Sequence, residues 1–101
     1  MKIYVVTNTT PIGSYTPSVF TKKENAVQWR KECAADNIYS AYEDELKEGF
    51  DDLEFERSTE AILEFADREL DEVEIHSNEI DIYYADDSYN ILQLFEVETE
   101  E

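Results

Sequence analysis

Negative charge is the feature that most constrains how this chain folds, and it is confined to the last two thirds of the sequence. Residues 1–31 carry five lysines or arginines against Glu24 alone, whereas residues 32–101 carry 25 carboxylates against three basic side chains. The formal net charge is −18 at pH 7. Self-repulsion of this size lowers the stability of a compact state. Something other than the stability of the compact state must therefore favour this charge.

The apolar residues are sufficient for one folded core. They make up 42% of 101 residues, and seven tyrosines and five phenylalanines exceed what a disordered acidic tail carries. This length predicts a single domain over residues 1–101. No apolar run approaches the roughly 18 residues of a membrane span, and Cys33 is the only cysteine, which excludes an intrachain disulfide. We expect a soluble protein of the reducing cytoplasm.

Four segments have strand-like patterns. Residues 2–7, KIYVVT, are β-branched or aromatic and predict a central strand. Residues 15–20 predict a second strand, which their proline moves to a sheet edge. Near the carboxyl terminus, residues 79–85 and 89–98 alternate apolar and polar side chains around the polar segment 86–88, which predicts a hairpin.

Three further segments have helical patterns. Residues 21–24, TKKE, match a capping box and predict a helix from about Lys22 to Ala35 that Asn37 ends. A similar signature at Ser40 predicts a short helix that ends at Gly49. From about Thr59 to Glu74, apolar residues recur at helical spacing and predict a third helix.

The predicted fold class is α+β, with a largely antiparallel sheet on which the helices pack. The predicted order is β-β-α-α-(β)-α-β-β, where the strand in parentheses, or an irregular edge, lies at residues 52–58. Trp29 and Cys33 fall on the apolar side of the first predicted helix, so we expect both in the core.

Residues for several kinds of chemistry are missing. His76 is the only histidine, and we expect it at the surface rather than in a catalytic site. With only Gly13 and Gly49, a glycine-rich phosphate loop cannot form. Residues 86–90, DDSYN, lack the ligand pattern of an EF-hand and predict a solvated turn. We therefore expect no enzyme activity, no cofactor and no metal site.

Carboxylates along the third predicted helix form a regular row. At 100° per residue, Glu60, Glu64, Asp67, Asp71 and Glu74 lie on one side and step along the axis by about 5 to 6 Å. Acidic residues between 43 and 56 add a second row or a patch, without the mixed signs that stabilise an ordinary solvated helix. The predicted partner-binding residues are Glu43, Asp44, Glu45, Glu48, Asp51, Asp52, Glu54, Glu56, Glu60, Glu64, Asp67, Asp71 and Glu74.

A negative field attracts the basic groove of a protein that handles nucleic acid, and it repels nucleic acid itself. In this respect residues 40–101 resemble the DNA-mimic proteins of phages and mobile elements, which are small acidic inhibitors of restriction or CRISPR effector enzymes. The resemblance has no sequence motif and assigns no residue. It implies an anti-restriction or anti-CRISPR inhibitor that competes for a DNA-binding groove, in the host cytoplasm if the protein is phage-encoded. The opening, MKIYVVT followed by SVFTKKENAVQW, also resembles small phage and bacterial ββα proteins.

Three alternatives remain open. A protein-binding regulator or adaptor, antitoxin-like, would use the sheet edge at 15–20 or the carboxy-terminal hairpin. An acidic surface adapted to high salt would not explain a net basic start, and an enzyme with paired carboxylates would need a cleft. Lys23 and Arg30 lie seven residues apart on the first helix and either balance nearby carboxylates, which we favour, or dock on the acidic surface of another copy, so we expect a monomer or a weak homodimer.

Overall fold

The computed structural model describes residues 1–49 and 59–99, with backbone only at 47–49. Within these ranges the chain forms nine elements, which are β1 (Lys2–Thr10), β2 (Gly13–Ser14), β3 (Ser18–Phe20), α1 (Lys23–Ala41), α2 (Glu43–Gly49), α3 (Thr59–Glu69), β4 (Val73–Ile75), β5 (Glu79–Tyr83) and β6 (Tyr89–Glu98). The strand or irregular edge predicted at 52–58 lies outside the described residues.

The strands of the described ranges form one antiparallel sheet, which confirms the predicted α+β class. Their order is β2-β1-β6-β5-β4, and β3 also pairs with β1. β1 and β6 pair over eight positions, from Lys2 opposite Glu98 to Thr9 opposite Ile91. β1 therefore lies inside the sheet, as its apolar sequence predicts.

The predicted carboxy-terminal hairpin is confirmed, since β5 pairs with β6 along its whole length. The connection contains Asp87 at a φ of 68°, a left-handed conformation that aspartate tolerates better than most residues. The carboxylate of Asp86 accepts hydrogen bonds from the hydroxyl and the backbone amide of Ser88, the latter at 3.1 Å. These local bonds close the turn without a glycine.

The core lies between one face of the sheet and the helices. Alternation along the strands directs Val6, Ile82 and Leu92 toward the helices, where all three are buried. Apolar residues of the helices complete the core from the other side. The largest fully buried side chains are Ile38, Leu46, Ile62, Ile80, Ile82, Leu92 and Val6.

α1 is longer than predicted, and its predicted cap is wrong. Asn37 does not end the helix, because the next residue, Ile38, is fully buried in the core and keeps the chain helical. The cap residue is Lys22, which has an extended backbone and makes no capping hydrogen bond through its side chain. Burial of Ile38 thus extends the carboxyl end of the helix beyond the predicted stop.

Trp29 is not a core residue, contrary to the prediction. Its side chain is 36% exposed and packs at the rim against Phe20, with ring centroids 6.0 Å apart. Cys33 is partly buried and packs against the core cluster. The apolar face of α1 is therefore narrower than the sequence pattern suggests, and alanines fill its centre.

The predicted second helix exists as α2, and its predicted end at Gly49 falls at the last residue described before position 59. Ser40 does not start it, because α1 continues through Ala41. Within the described ranges, no helix combines the length and apolar character needed to cross a lipid bilayer.

α3 ends at Glu69, five residues before the predicted end at Glu74. The amide of Leu70 still bonds the Ala66 carbonyl at 3.0 Å, and the chain then turns. Val73 enters β4 opposite Ile82 and is buried there. A strand buries this β-branched residue as well as a longer helix would, so the apolar spacing alone did not decide between them.

We predict that Ile38→Ala destabilises the protein by about 2–5 kcal/mol, because the substitution leaves a cavity in a fully buried site. The measurement is urea unfolding followed by circular dichroism. Val19→Ala is the control, since this valine is exposed and its loss costs less than about 1 kcal/mol. Equal effects of the two substitutions would contradict the burial of α1 beyond Asn37.

Candidate functional site

From α3 through the following turn to β4, almost every exposed residue is acidic. Eight residues between 59 and 75 are exposed, and seven of them are carboxylates, with Arg68 as the exception. A soluble protein surface ordinarily mixes both signs, so this segment is unusual. We call these carboxylates the acidic strip: Glu60, Glu64, Asp67, Glu69, Asp71, Glu72 and Glu74.

α3 positions the first part of the acidic strip by burying its other side. Ile62, Leu63, Phe65 and Ala66 are buried, which leaves the predicted carboxylates Glu60, Glu64 and Asp67 in solvent. At 1.5 Å per residue, these three carboxylates span about 10 Å along the helix axis.

The predicted helical row of five carboxylates is wrong beyond Asp67, because α3 ends at Glu69. Asp71 lies in the turn after the helix, and Glu74 lies on β4 opposite Asp81. The neighbours of Glu74 on the strand, Val73 and Ile75, pack toward the core, so Glu74 projects from the opposite face of the sheet. The acidic strip therefore turns around the sheet edge at β4.

Basic partners offset only part of the acidic strip. Lys31 Nζ lies 3.6 Å from Glu60 Oε1, and Arg68 Nε lies 3.2 Å from Glu69 Oε1. Ion pairs between exposed side chains contribute at most about 1 kcal/mol. In the part of the chain that the structure describes, Glu64 and Asp67 have no basic partner, so the centre of the strip keeps its charge.

Tyr42 links α2 to the acidic strip. Its hydroxyl donates a hydrogen bond to the backbone carbonyl of Tyr83. Burial raises the pKa of the Tyr42 hydroxyl, and the charges of Glu72 and Glu45 raise it further. The charges of a strip carboxylate and of an α2 carboxylate thus act on the same phenol, and α2 also contacts α3.

α2 itself is held by Leu46, which is fully buried. Of the carboxylates predicted on this helix, Asp44 and Glu45 are exposed and Glu43 is partly buried. The side chain of Glu48 lies outside the described part of the chain. The same holds for the predicted residues Asp51, Asp52, Glu54 and Glu56.

A second cluster of titratable side chains lies on the hairpin of β4 and β5, and it was not predicted from the sequence. Glu74 is opposite Asp81, and the amide of His76 bonds the Glu79 carbonyl at 2.8 Å across a two-residue connection. Residues two apart on a strand share a face, so the four side chains project from the face opposite the helices. We call Glu74, His76, Glu79 and Asp81 the hairpin cluster. The alternation in Glu-x-His-Ser-Asn-Glu-x-Asp signals it, but the predicted helix to Glu74 concealed this pattern.

Asp81 is the unusual member of the hairpin cluster. It is only 5% exposed, and its Oδ1 has no hydrogen-bond partner among the residues described. Burial raises the pKa of the Asp81 carboxyl to about 6, and the hydrogen bond and charge of Glu79 add to the increase. A buried carboxylate without a donor is costly, so this position favours a neutralising proton or cation.

Glu79 is held beside Asp81. Its Oε1 accepts a hydrogen bond from Gln93 Nε2 at 2.7 Å. The pKa of the Glu79 carboxyl is lowered, first by its hydrogen bond with Asp81 and then by the one from Gln93. The two neighbouring carboxyls thus have pKa values shifted in opposite directions, which is the behaviour expected when one proton is shared.

The basic docking surface suggested for α1 is not formed, because Arg30 is only 4% exposed. Its Nη2 donates to the carbonyl of Ser77 at 3.3 Å, and burial lowers the pKa of its guanidinium. Lys23 is exposed but cannot act together with Arg30 on another copy. Arg30 instead holds the connection between β4 and β5 from the helix side.

Cys33 does not have the environment of a reactive nucleophile. Burial, followed by the charge of Asp36, raises the pKa of the Cys33 thiol, and a raised pKa disfavours the reactive thiolate. His76 is exposed, as predicted, and its Nε2 lies 3.7 Å from Glu74 Oε2.

Comparisons of the chain with protein-family models, with curated proteins and with solved structures give no match.

We predict that Asp81→Asn stabilises the fold at pH 7 by about 1–3 kcal/mol, because the substitution removes a buried carboxylate that lacks a hydrogen-bond donor. The protein is first treated with a chelator, so that no bound cation neutralises the carboxylate. The measurement is urea unfolding. Asp67→Asn makes the same chemical change at an exposed site and should alter stability by no more than about 0.5 kcal/mol. A destabilised Asp81→Asn variant would contradict this account of the carboxylate.

Proposed function

We propose that this chain is an acidic inhibitor that mimics DNA and blocks the nucleic-acid-binding groove of a host defence effector, of the anti-restriction or anti-CRISPR type. The observation that carries the proposal is the acidic strip, in which seven of eight consecutive exposed residues are carboxylates. The inhibitor acts without catalysis, by charge-driven steric competition. It works in the cytoplasm, which is that of the host cell if the protein is phage-encoded.

The geometry of the acidic strip supports imitation of a nucleic-acid backbone. Along α3, neighbouring carboxylates are separated by about 5 to 6 Å of helix axis, whereas duplex DNA presents one phosphate per roughly 1.7 Å when both strands are counted. α3 alone is thus less dense in charge than DNA. Glu45 is exposed on α2, which contacts α3, so the anionic surface is wider than a single row.

The chemistry of a phosphate-binding groove fits this surface. Arginine and lysine side chains that hold phosphate oxygens also donate charge-assisted hydrogen bonds to carboxylates. A field of one sign accelerates encounter with a basic groove and weakens with salt. The strip rests on a helix and a paired strand, so few side chains beyond the carboxylates themselves lose freedom on binding. Direct binding to nucleic acid is disfavoured by the net charge of −18.

The test is competition with DNA for purified effectors, using a panel of restriction nucleases and CRISPR effector complexes in a mobility-shift assay. The combined variant Glu64→Gln, Asp67→Asn and Asp71→Asn removes three exposed charges. At about 0.2–1 kcal/mol per exposed pair, we expect inhibition to weaken by about threefold to one hundredfold. Inhibition by the unaltered protein should also fall steeply between about 50 and 200 mM salt.

The matched control removes the same number of charges elsewhere. Glu24→Gln, Glu32→Gln and Asp87→Asn alter exposed carboxylates on α1 and in the turn between β5 and β6 and should change inhibition less than about twofold. Equal losses in the two triple variants would mean that net charge alone acts. That result, indifference to salt, or no competition with DNA across the panel would each refute the proposal.

A second candidate function is a protein-binding regulator or adaptor, antitoxin-like, and the sheet face opposite the helices favours it. Val19, Phe95 and Val97 are 59%, 46% and 40% exposed. Val5 pairs with both Val19 and Phe95, so these side chains adjoin on one face. This apolar patch combines the predicted sheet edge with the last strand of the carboxy-terminal hairpin, and such patches often mark interaction sites.

We predict that the combined variant Val19→Lys and Phe95→Lys separates the two functions. If the protein is a DNA mimic, competition with DNA is retained within about twofold, because the acidic strip is unaltered. If it is an adaptor, the variant loses its partner while the acidic triple variant keeps it. Binding constants of both variants for the same effector, measured by calorimetry, give the answer.

A further inference from the structure

The hairpin cluster combines three features that no packing requirement of the fold explains. Glu74 is directly opposite Asp81, and like charges at opposed positions destabilise a sheet. His76 extends the same face, with its Nε2 directed toward the Glu74 carboxylate at 3.7 Å. Asp81 is more than nine-tenths buried, and its Oδ1 lacks a hydrogen-bond partner within the described ranges.

We propose that Glu74, His76 and Asp81 bind one divalent cation of the Zn²⁺ type. One ligand atom from each of the three residues lies within 4.8 Å of the other two. The proposal is independent of the DNA-mimic function and concerns a site that the acidic strip shares only through Glu74.

The geometry requires little change to accept an ion. Zinc binds imidazole nitrogen and carboxylate oxygen at about 2.0–2.2 Å, so its ligands lie closer together than the 4.8 Å limit of this cluster. Glu74 and His76 have side chains that are 56% and 55% exposed, and both can rotate inward. Asp81 is fixed by its burial, so it supplies the rigid ligand around which the other two close.

The ligand types favour zinc over calcium or magnesium. An imidazole nitrogen suits Zn²⁺ and similar transition metals, whereas Ca²⁺ takes six to eight oxygen ligands and Mg²⁺ keeps most of its water. Three protein ligands leave a fourth position for water or for a group of a partner. Glu79, held by Gln93, lies beside Asp81 and adds negative charge around the ion without having to ligate it.

Diffuse attraction of cations to a chain of charge −18 is the competing explanation. A neutral imidazole adds nothing to that field, so the contribution of His76 separates the two. Diffuse binding would also involve several ions, weak affinity and no preference for zinc over magnesium.

The experiment is calorimetric titration of the chelator-treated protein with ZnCl₂ at about 150 mM salt, a concentration that screens diffuse attraction. We expect one ion per chain for the unaltered protein. His76→Gln and Asp81→Asn should each weaken zinc binding by at least about tenfold, whereas Asp67→Asn, at an exposed site of the acidic strip, should change it less than about twofold. His76 is exposed, so His76→Gln is expected to fold, which circular dichroism checks.

A direct readout uses the imidazole itself. Because His76 is the only histidine, its ring nitrogens give one set of NMR signals, and zinc should shift Nε2 while an equal concentration of MgCl₂ should not. Unchanged affinity in His76→Gln, or an unmoved Nε2 signal at zinc saturation, would overturn the proposal. Several weakly bound ions with no effect of either ligand substitution would assign the binding to diffuse charge instead.

Discussion

The pairing of β1 with β6 is the interaction on which the rest of the structure depends. It joins the two ends of the chain over eight positions, and closing so long a loop costs chain entropy before any contact forms. Charge helps the closure, because Lys2 Nζ lies 3.8 Å from Glu96 and the terminal amino group lies 3.7 Å from Glu98. Once β6 is placed, it provides the template for β5, and β5 provides the template for β4. Lys2 and the terminal amino group thus support the pairing of the two terminal strands.

Helices on one face of this sheet decide where the charge goes. α3 turns Ile62 and Phe65 inward, so its carboxylates must face solvent. β4 turns Val73 and Ile75 toward the same core, so Glu74 must face the opposite side. The acidic strip and the hairpin cluster have the same origin. Both occupy positions that do not contribute to the core, where carboxylate side chains are tolerated. Val19 and Phe95 are exposed for the same reason, and the molecule therefore carries an acidic and an apolar surface.

The features predicted correctly from the sequence are those that depend only on a local pattern of apolar and polar residues. Alternation around Asp86–Ser88 predicted the hairpin, and helical spacing predicted that Glu60, Glu64 and Asp67 face solvent. It failed at Val73, whose burial is satisfied equally by helix and strand, so that only pairing with Ile82 decides. The prediction that Arg30 is exposed was wrong for a related reason. A charged side chain on an apolar face is buried only when a tertiary partner is present, and here that partner is the Ser77 carbonyl. The hairpin cluster depends on the register between β4 and β5. The prediction of a helix through Glu74 left no strand β4 to pair with β5, so the cluster was not foreseen.

Glu74 belongs both to the acidic strip and to the proposed cation site, so the two functions meet at one residue. A bound divalent ion would neutralise the charges of Glu74 and Asp81 at the β4 edge. Its influence falls off over a Debye length of about 8 Å at physiological salt. α3 is 11 residues long and therefore extends about 16 Å, so Glu60 at its far end lies beyond that range from the end of the helix that leads into β4. Cation binding would therefore modulate the strip near Asp71 and Glu72 and leave the carboxylates at the start of α3 unaffected. Under the proposed function, a basic groove would therefore bind α3 whether or not the hairpin holds an ion.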